Sequence, residues 1–438
     1  MIEQIYHYYT HSTGICTDTR HLQVGNLFVA LRGEHFDGNQ YAQQALQKGA
    51  SCVLIDRPEC QTDNDNCILV DDTLQCLQDL ASYHRRQSHV SLIALTGSNG
   101  KTTTKELLHA VLSSTFRTHA TSGNLNNHIG VPLTLLAAPH SAQIWVIEMG
   151  ANHQQEIAML CRIAQPTHAL ITNIGKAHLE GFGGQEGVQK GKGELFDYIR
   201  QTSGYAFVNR NDGRVAKVAE GIAPQNFSNY GNCPSDDVFV VVNEDNNSPF
   251  LQAKWRVSAQ EFAIIHTQLT GNYNIDNITA AIAVGLHFGV TSGDIIRAIK
   301  NYIPKNNRSQ RAILGSNTLI MDAYNANPSS MKAALDNFAR DNSPQKAVIL
   351  GEMLELGNEA EIEHQAIVQL LQKSKPEHIV LVGKGFENAA QGIDCQYFEK
   401  ASQAKKWLAE QTWENMSILV KGSRGVQLEV VYEVWKTV

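Results

Sequence analysis

Short apolar runs recur along the chain, each closed by glycine or polar residues and most of them followed by a stretch with helical spacing of apolar positions. They fall at 25–31, 51–55, 92–95, 144–148, 169–173 and 205–208, and again at 318–322, 346–350, 378–382 and 417–420. Strand and helix in alternation predict βαβ units and parallel sheets, which makes the fold class α/β. Residues 1–87 read as a small α/β domain, with a helix over 41–48 between the first two strands and a polar surface loop, QTDNDN, at 61–66. The alternation that follows is interrupted at Ile303-Pro304-Lys305-Asn306-Asn307, a sequence that ends helices. The chain is therefore expected to form three domains: 1–87, a central domain with a mainly parallel sheet over 88–307, and a doubly wound domain over 308–438.

One strand–helix junction carries chemistry. The run ending at Thr96 opens into Gly97-Ser98-Asn99-Gly100-Lys101-Thr102-Thr103, and a helical pattern starts at once. Such a loop binds phosphate. Glycines let backbone N–H groups approach closely, the helix N-terminus favours anions, Lys101 can reach a terminal phosphate and Thr102 can ligate Mg²⁺. The spacing is GxxGKT, shorter than the usual GxxxxGK[ST], because Leu95 stands where the earlier glycine would fall.

At 438 residues the chain exceeds what one compact core accommodates. A net charge of −7 and a sequence pI near 6.2 leave no basic footprint for nucleic acid, so small molecules are the expected partners. Eight scattered cysteines without a CxxC pair read as reduced thiols of a cytoplasmic protein. No signal-peptide pattern opens the sequence, and no apolar run reaches the ~18 residues of a membrane span.

Several further segments each admit two readings. The run 144–148 ends in Glu148, at the strand edge where parallel sheets bind ligands; beside a phosphate loop this acid could hold Mg²⁺. His178 follows the next strand in a glycine-rich loop, but among 17 histidines it could equally be a surface or core residue. Lys190-Gly191-Lys192-Gly193 looks like a helix start with solvated lysines. Asn272, Asn274 and Asn277 before one helix, and Asp322, Asn325 and Asn327 after a strand, suit caps and turns as well as ligands. KGSRG at 421–425 suits an anion or a turn.

Taken in order, TGSNGKTTTKE, TSGNLNNHIGVPLTLL, EMGANHQQEI, NIGKAHLEGFGG, GKGELF, MDAYNANPSSM, GEMLELG and KGSRG resemble the motifs of the ATP-dependent Mur ligases almost end to end. The resemblance implies an N-terminal domain that binds the UDP end of a sugar-peptide, a central P-loop ATPase and a C-terminal Rossmann-like domain. It also implies an activity: ATP-dependent joining of D-alanyl-D-alanine to UDP-N-acetylmuramoyl-tripeptide through an acyl phosphate, by a cytoplasmic monomer in peptidoglycan precursor synthesis. The DNPR signature of the sister ligase that adds the third peptide residue is absent, as is the NKxD motif of a guanine-nucleotide switch.

The resemblance also assigns residues. CTDTRHLQVGNLFVALRGEHFDGNQY is similar to the family's UDP-binding segment, which makes Thr17, Asp18, Thr19, Arg20, Arg32 and Gly33 candidates for the diphosphate. Lys192, not Lys190, matches the lysine that Mur ligases carbamylate. As an anion it would join Glu148 and His178 in a site for two Mg²⁺ ions around the γ-phosphate, next to Lys101 and Thr102. Asn277, Arg308 and Asp322 match positions contacting the rest of ATP. Asn124, Asn126 and Asn127 match residues near the muramoyl-peptide, and Asn325, Lys421 and Arg424 are implied as further substrate contacts. Met321 and Tyr273 depart from the acid and the histidine common in relatives at those places. Closure of the third domain over ATP is implied, since Arg308 and Asp322 must reach a site built on the second.

Overall fold

The computed structural model describes residues 1–244, 248–257, 263–305, 308–341 and 343–436. Among these residues the strands form three main sheets and one hairpin. The first sheet is parallel, ordered Ile15–Cys16, Leu27–Val29, Cys52–Ile55, Cys67–Leu69. Its strand Cys52–Ile55 is buried throughout, as a β-rich apolar run must be when helices cover both sheet faces. The hairpin pairs Arg32–Gly33 with Phe36–Asp37.

The central sheet is ordered Thr118–Ala120, Ile144–Glu148, Ser91–Thr96, His168–Ile171, Tyr205–Asn209, Phe227–Gly231, Val238–Val242, Gln252–Val257, Ala263–His266. Its pairings are parallel up to Val238–Val242, and the last two are antiparallel, with Gln252–Val257 running against the other strands. Strand Ser91–Thr96 is the hinge of this order: the chain first builds to one side of it and then crosses to the other. A crevice opens at such a switch point, beyond the strands' carboxyl ends. The helix Lys101–Ser113 starts there and packs beside Ile275–His287 on one face of the sheet. The second of these helices is buried from Asn277 to Gly285, with small and aliphatic residues on every side from Ala280 to Leu286, so its middle is core rather than amphipathic surface.

The third sheet is ordered Gln310–Leu314, Asn317–Asp322, Ser417–Lys421, Lys346–Gly351, His378–Val382, Gln396–Phe398, and only its first strand is antiparallel. The architecture is the expected α/β one. The strands missed by pattern are short or polar edge strands and the extension beyond residue 226, which begins parallel at Phe227–Gly231 and Val238–Val242 and becomes antiparallel after them.

One expectation fails. Lys190 and Lys192 do not open a helix; they lie inside Gln185–Thr202, which begins after Gly184. The glycines there serve packing: a Cβ on Gly187 would stand 1.8 Å from the Phe182 carbonyl oxygen, and one on Gly191 2.4 Å from the Phe182 ring. Close approach of Phe182 outweighs the roughly 1 kcal/mol that each glycine costs a helix. All eight cysteines are free thiols, and no described helix is long and apolar enough to cross a membrane.

Two seams join the sheets. On one, Arg85 donates to the carbonyls of Ala164 (3.0 Å) and Gln165 (3.3 Å), Tyr9 to that of Leu136 (2.7 Å) and Gln78 to that of His128 (3.0 Å), while His84 stacks on Trp145. On the other, Lys176 pairs with Glu363 and His178 with Glu355. The Lys176 N–H donates to Ser329 Oγ (3.0 Å), and Asn327 Nδ2 donates to Asn99 Oδ1 (2.8 Å).

Candidate active site

The phosphate-loop candidate occupies the switch-point crevice in a conformation only glycine allows. Gly97 (φ 148°) and Gly100 (φ 79°) lie in the left-handed region. A Cβ on Gly97 would sit 1.9 Å from Thr172 Oγ1, and one on Gly100 2.4 Å from Asn277 Oδ1. The loop is tied to the next strand's end, where Asn173 Oδ1 accepts from the Asn99 N–H (2.9 Å) and Thr172 Oγ1 donates to the Asn99 carbonyl (2.6 Å). Thr96 anchors the base, donating to the Met149 carbonyl at 2.8 Å. Lys101 Nζ reaches back across the loop to the Gly97 carbonyl (2.6 Å). Burial lowers its pKa, and the Glu148 charge opposes that shift.

Glu148 ends the neighbouring strand, and both its oxygens are held: Oε2 accepts from Thr102 Oγ1 (2.9 Å) and Oε1 from Asn126 Nδ2 (2.7 Å). Asn127 Oδ1 caps the helix Gly130–Leu136 by accepting from the Gly130 N–H (2.8 Å). His178 sits at φ 52°, a conformation strained for a residue with a Cβ. Its Nδ1 lies against a Glu355 carboxylate oxygen without the alignment of a hydrogen bond. The imidazole holds the Glu355 carboxyl below its usual range.

Lys192 is 1 % exposed. Its amine has one hydrogen-bond acceptor, the Ala151 carbonyl at 3.2 Å, and lies 5.0 Å over the Phe182 ring. Burial drives its pKa well below that of a free lysine; the Lys101 charge adds to this, and Glu156 and Glu194 oppose it. Among the described residues no group of three or more His, Cys, Asp and Glu side chains is placed to hold a metal ion.

The third sheet supplies the opposite wall. Asp322 Oδ1 accepts from the Ser309 N–H (3.1 Å) and Oδ2 from Lys421 Nζ (2.5 Å), which also reaches the Asn325 carbonyl (3.3 Å). Lys421 is therefore a buried, neutralised cation, whereas Arg424 is exposed. Both Arg308 (3.7 Å) and Arg424 (5.5 Å) face the Tyr324 ring. Asn277 wedges between the two central helices, accepting from Thr104 and donating to Asn274. Tyr273 bonds Ser309 Oγ at 2.7 Å, and burial together with the Asp322 charge raises its phenol.

A single cavity of about 730 Å³ is lined by Ser98 to Thr103, Asn124, Asn126, Asn127, Glu148, His178, Asn277, Arg308, Asp322, Asn325, Lys421 and Arg424. Thr96, Gly97 and Lys192 stand behind its wall. Thr17, Asp18, Thr19, Arg20, Arg32 and Gly33 lie elsewhere, on the first sheet's domain. There Arg20 holds the Asp18 carboxyl well below the usual range, Thr19 accepts from Lys48 at its carbonyl, and Arg32 pairs with the buried Asp56 at 3.1 Å. Gly33 is exposed on the hairpin. Tyr324, Leu354 and Glu355 also line the cavity. They went unassigned in the sequence, although MDAYNANPSSM and GEMLELG contain them.

The fold and the site define a P-loop nucleotide-binding protein with an appended Rossmann-like wall. Family models describe the same architecture: the Mur ligase family, catalytic domain matches residues 11–85, the Mur ligase middle domain 95–285, and the Mur ligase, glutamate ligase domain 307–424. The chain belongs to the Mur ligase family. It is 35% identical over 434 residues to the UDP-N-acetylmuramoyl-tripeptide–D-alanyl-D-alanine ligase of Bacillus subtilis (strain 168), covering 95% of this chain and 92% of that one. Its structure is similar to MurF from Acinetobacter baumannii (TM-score 0.88, 32% identity, 100% of this chain and 99% of that one). It is also similar to MurF ligase from Thermotoga maritima in complex with ADP (TM-score 0.85, 25% identity, 98% of each chain).

Proposed function

We infer that this chain is an ATP-dependent ligase that joins D-alanyl-D-alanine to UDP-N-acetylmuramoyl-tripeptide, completing the pentapeptide precursor of peptidoglycan in the cytoplasm. It acts as a monomer, with domain boundaries near residues 87 and 307. The observation that carries this reading is the shared cavity, which brings a phosphate loop, a buried acid and a cationic wall from a separate sheet to one place.

A carboxylate and an amine do not condense in water, so the tripeptide's terminal carboxylate must first acquire a leaving group. One of its oxygens attacks the γ-phosphorus of ATP, the bond to the β,γ-bridging oxygen breaks, and ADP departs. The dipeptide amine then attacks the acyl carbon; phosphate leaves and the amine gives up a proton. Charge in the first step spreads over the phosphoryl oxygens, so positioning and electrostatics dominate. Loop N–H groups and Lys101 hold the triphosphate, while Asn277, Arg308 and Asp322 hold the nucleoside side. Asn124, Asn126 and Asn127 face the muramoyl-peptide, and Thr17 to Arg20 with Arg32 and Gly33 take the distant diphosphate.

Thr102 and Glu148 offer paired oxygen donors, the chemistry Mg²⁺ prefers, and bound Mg²⁺ would neutralise charge on the phosphoryl group. His178 and Glu148 alone do not complete a two-ion site. A carbamate on Lys192 would supply the missing anion. Its buried, weakly basic amine is the form that adds CO₂, since only the unprotonated nitrogen is a nucleophile. Arg424 takes the dipeptide carboxylate, and Lys421 supports that wall by fixing Asp322 and Asn325.

The test is phosphate release and product formation with each substrate withheld in turn. A ligase of this kind requires ATP, the sugar-tripeptide and the dipeptide together to form the pentapeptide. Sustained ATP hydrolysis indifferent to both peptides, with no amide product, would overturn the reading.

A further inference from the structure

The polar machinery leaves one wall of the cavity without a role. Leu354 presents an alkyl side chain to the cavity, 42 % exposed, and is held there at two points. Its N–H donates to Ser423 Oγ at 3.0 Å. Its Cδ1 lies so close over Gly425 that a Cβ on that glycine would stand 2.8 Å away. The Ser423 N–H in turn donates to the Glu352 carbonyl at 3.2 Å, so segments 352–354 and 423–425 are fastened side by side.

The neighbours of Leu354 define a direction. On one side stands Arg424, exposed and, among the described residues, in no ion pair. On the other, one residue along the chain, Glu355 pairs with His178 at the edge of the central sheet. A free guanidinium is built for a carboxylate. An alkyl wall beside it suits a short apolar group on the carbon that bears that carboxylate, and the far end of such a ligand points toward His178.

We propose that Leu354 is a specificity-determining residue, which reads the methyl group of the dipeptide's carboxyl-terminal residue. The inference rests on the ligase reading above. It holds that D-alanine is favoured at that position over glycine, which leaves the wall uncovered, and over D-serine, whose hydroxyl would be desolvated against it.

The experiment compares kcat/KM of the full chain for D-Ala-D-Ala, D-Ala-Gly and D-Ala-D-Ser, with Leu354→Ala and Leu354→Met beside the unaltered protein. A methyl in an apolar pocket is worth about tenfold or more in kcat/KM. The unaltered chain should therefore prefer D-Ala-D-Ala to D-Ala-Gly by about that factor. Leu354→Ala should shrink the preference to about twofold through KM for the dipeptide, with KM for ATP unchanged, and Leu354→Met should retain it. A preference that persists in Leu354→Ala, or a loss that tracks a rise in KM for ATP, overturns the proposal while leaving the ligase reading intact. No product from any dipeptide with the unaltered chain overturns the ligase reading, and this inference with it.

Discussion

The two seams of the central sheet are made of different bonds. Toward the first sheet, side chains that are mostly buried donate to main-chain carbonyls: Arg85 to residues 164 and 165, Tyr9 to 136, Gln78 to 128. The apolar core itself is continuous through both seams, by way of the helices Ile2–Thr10 and Thr73–Gln87 on this side and Pro328–Ala339 and Ala360–Ser374 on the other, so the contrast lies in the polar bonds. Toward the third sheet, side chain meets side chain, often as half-exposed charge: Lys176 with Glu363, Glu355 with His178, Asn327 with Asn99. A charged contact that water can replace costs little to break, whereas a buried guanidinium stripped of its carbonyls is left uncompensated. The first seam is suited to staying shut and the second to opening, and the cavity lies along the second.

Substitutions at three positions can break that contrast. Arg85→Ala, on the first seam, should destabilise the protein by about 3 kcal/mol, because a buried hydrogen-bonded cation is removed and its space emptied. A lowered melting temperature with near-normal kcat at permissive temperature is the expected result, and an unchanged melting temperature would erase the distinction between the seams.

Asn327 tests the second seam more finely. Its Oδ1 caps the helix Pro328–Ala339 while its Nδ2 reaches the phosphate loop. Asn327→Ala should cost about 1 kcal/mol of stability and also raise KM for ATP. Asn327→Asp keeps the capping oxygen, so its melting temperature should hold while KM for ATP still rises. A KM for ATP that rises in Asn327→Ala but stays normal in the thermally intact Asn327→Asp would deny the loop contact any role of its own.

The smallest effect is expected from Lys176→Met. Its ion pair is 41 % exposed on the lysine side, so stability should change by less than about 1 kcal/mol. A two- to threefold change in kcat without a thermal shift would mark the pair as part of the opening motion; a shift as large as that of Arg85→Ala would make the seams alike.

Much of this is legible in the amino-acid sequence. Strands 346–351 and 378–382 begin where the apolar pattern begins, and the phosphate loop announced itself through glycines whose neighbours leave no room for a Cβ. The local reading of Lys192 fails, since a KGKG run signals a turn unless the Phe182 ring packed against Gly191 and the Val218 side chain against Gly193 are known; only the family resemblance marks the residue. Lys421 and Arg424 look equivalent in KGSRG, yet Asp322, 99 residues away, neutralises one of them. Leu354 and Glu355 sit inside the GEMLELG motif, yet nothing in that string singles them out, because their significance comes from Gly425 and His178, brought to them by folding.

The first seam has one more consequence. Its acceptors are peptide oxygens at 128, 136, 164 and 165, and every amino acid carries that same group. Residues on the receiving side can drift in identity over generations without loosening the attachment, provided their backbone path is kept. Heritable constraint on the docking therefore concentrates on the donors, with Arg85 foremost.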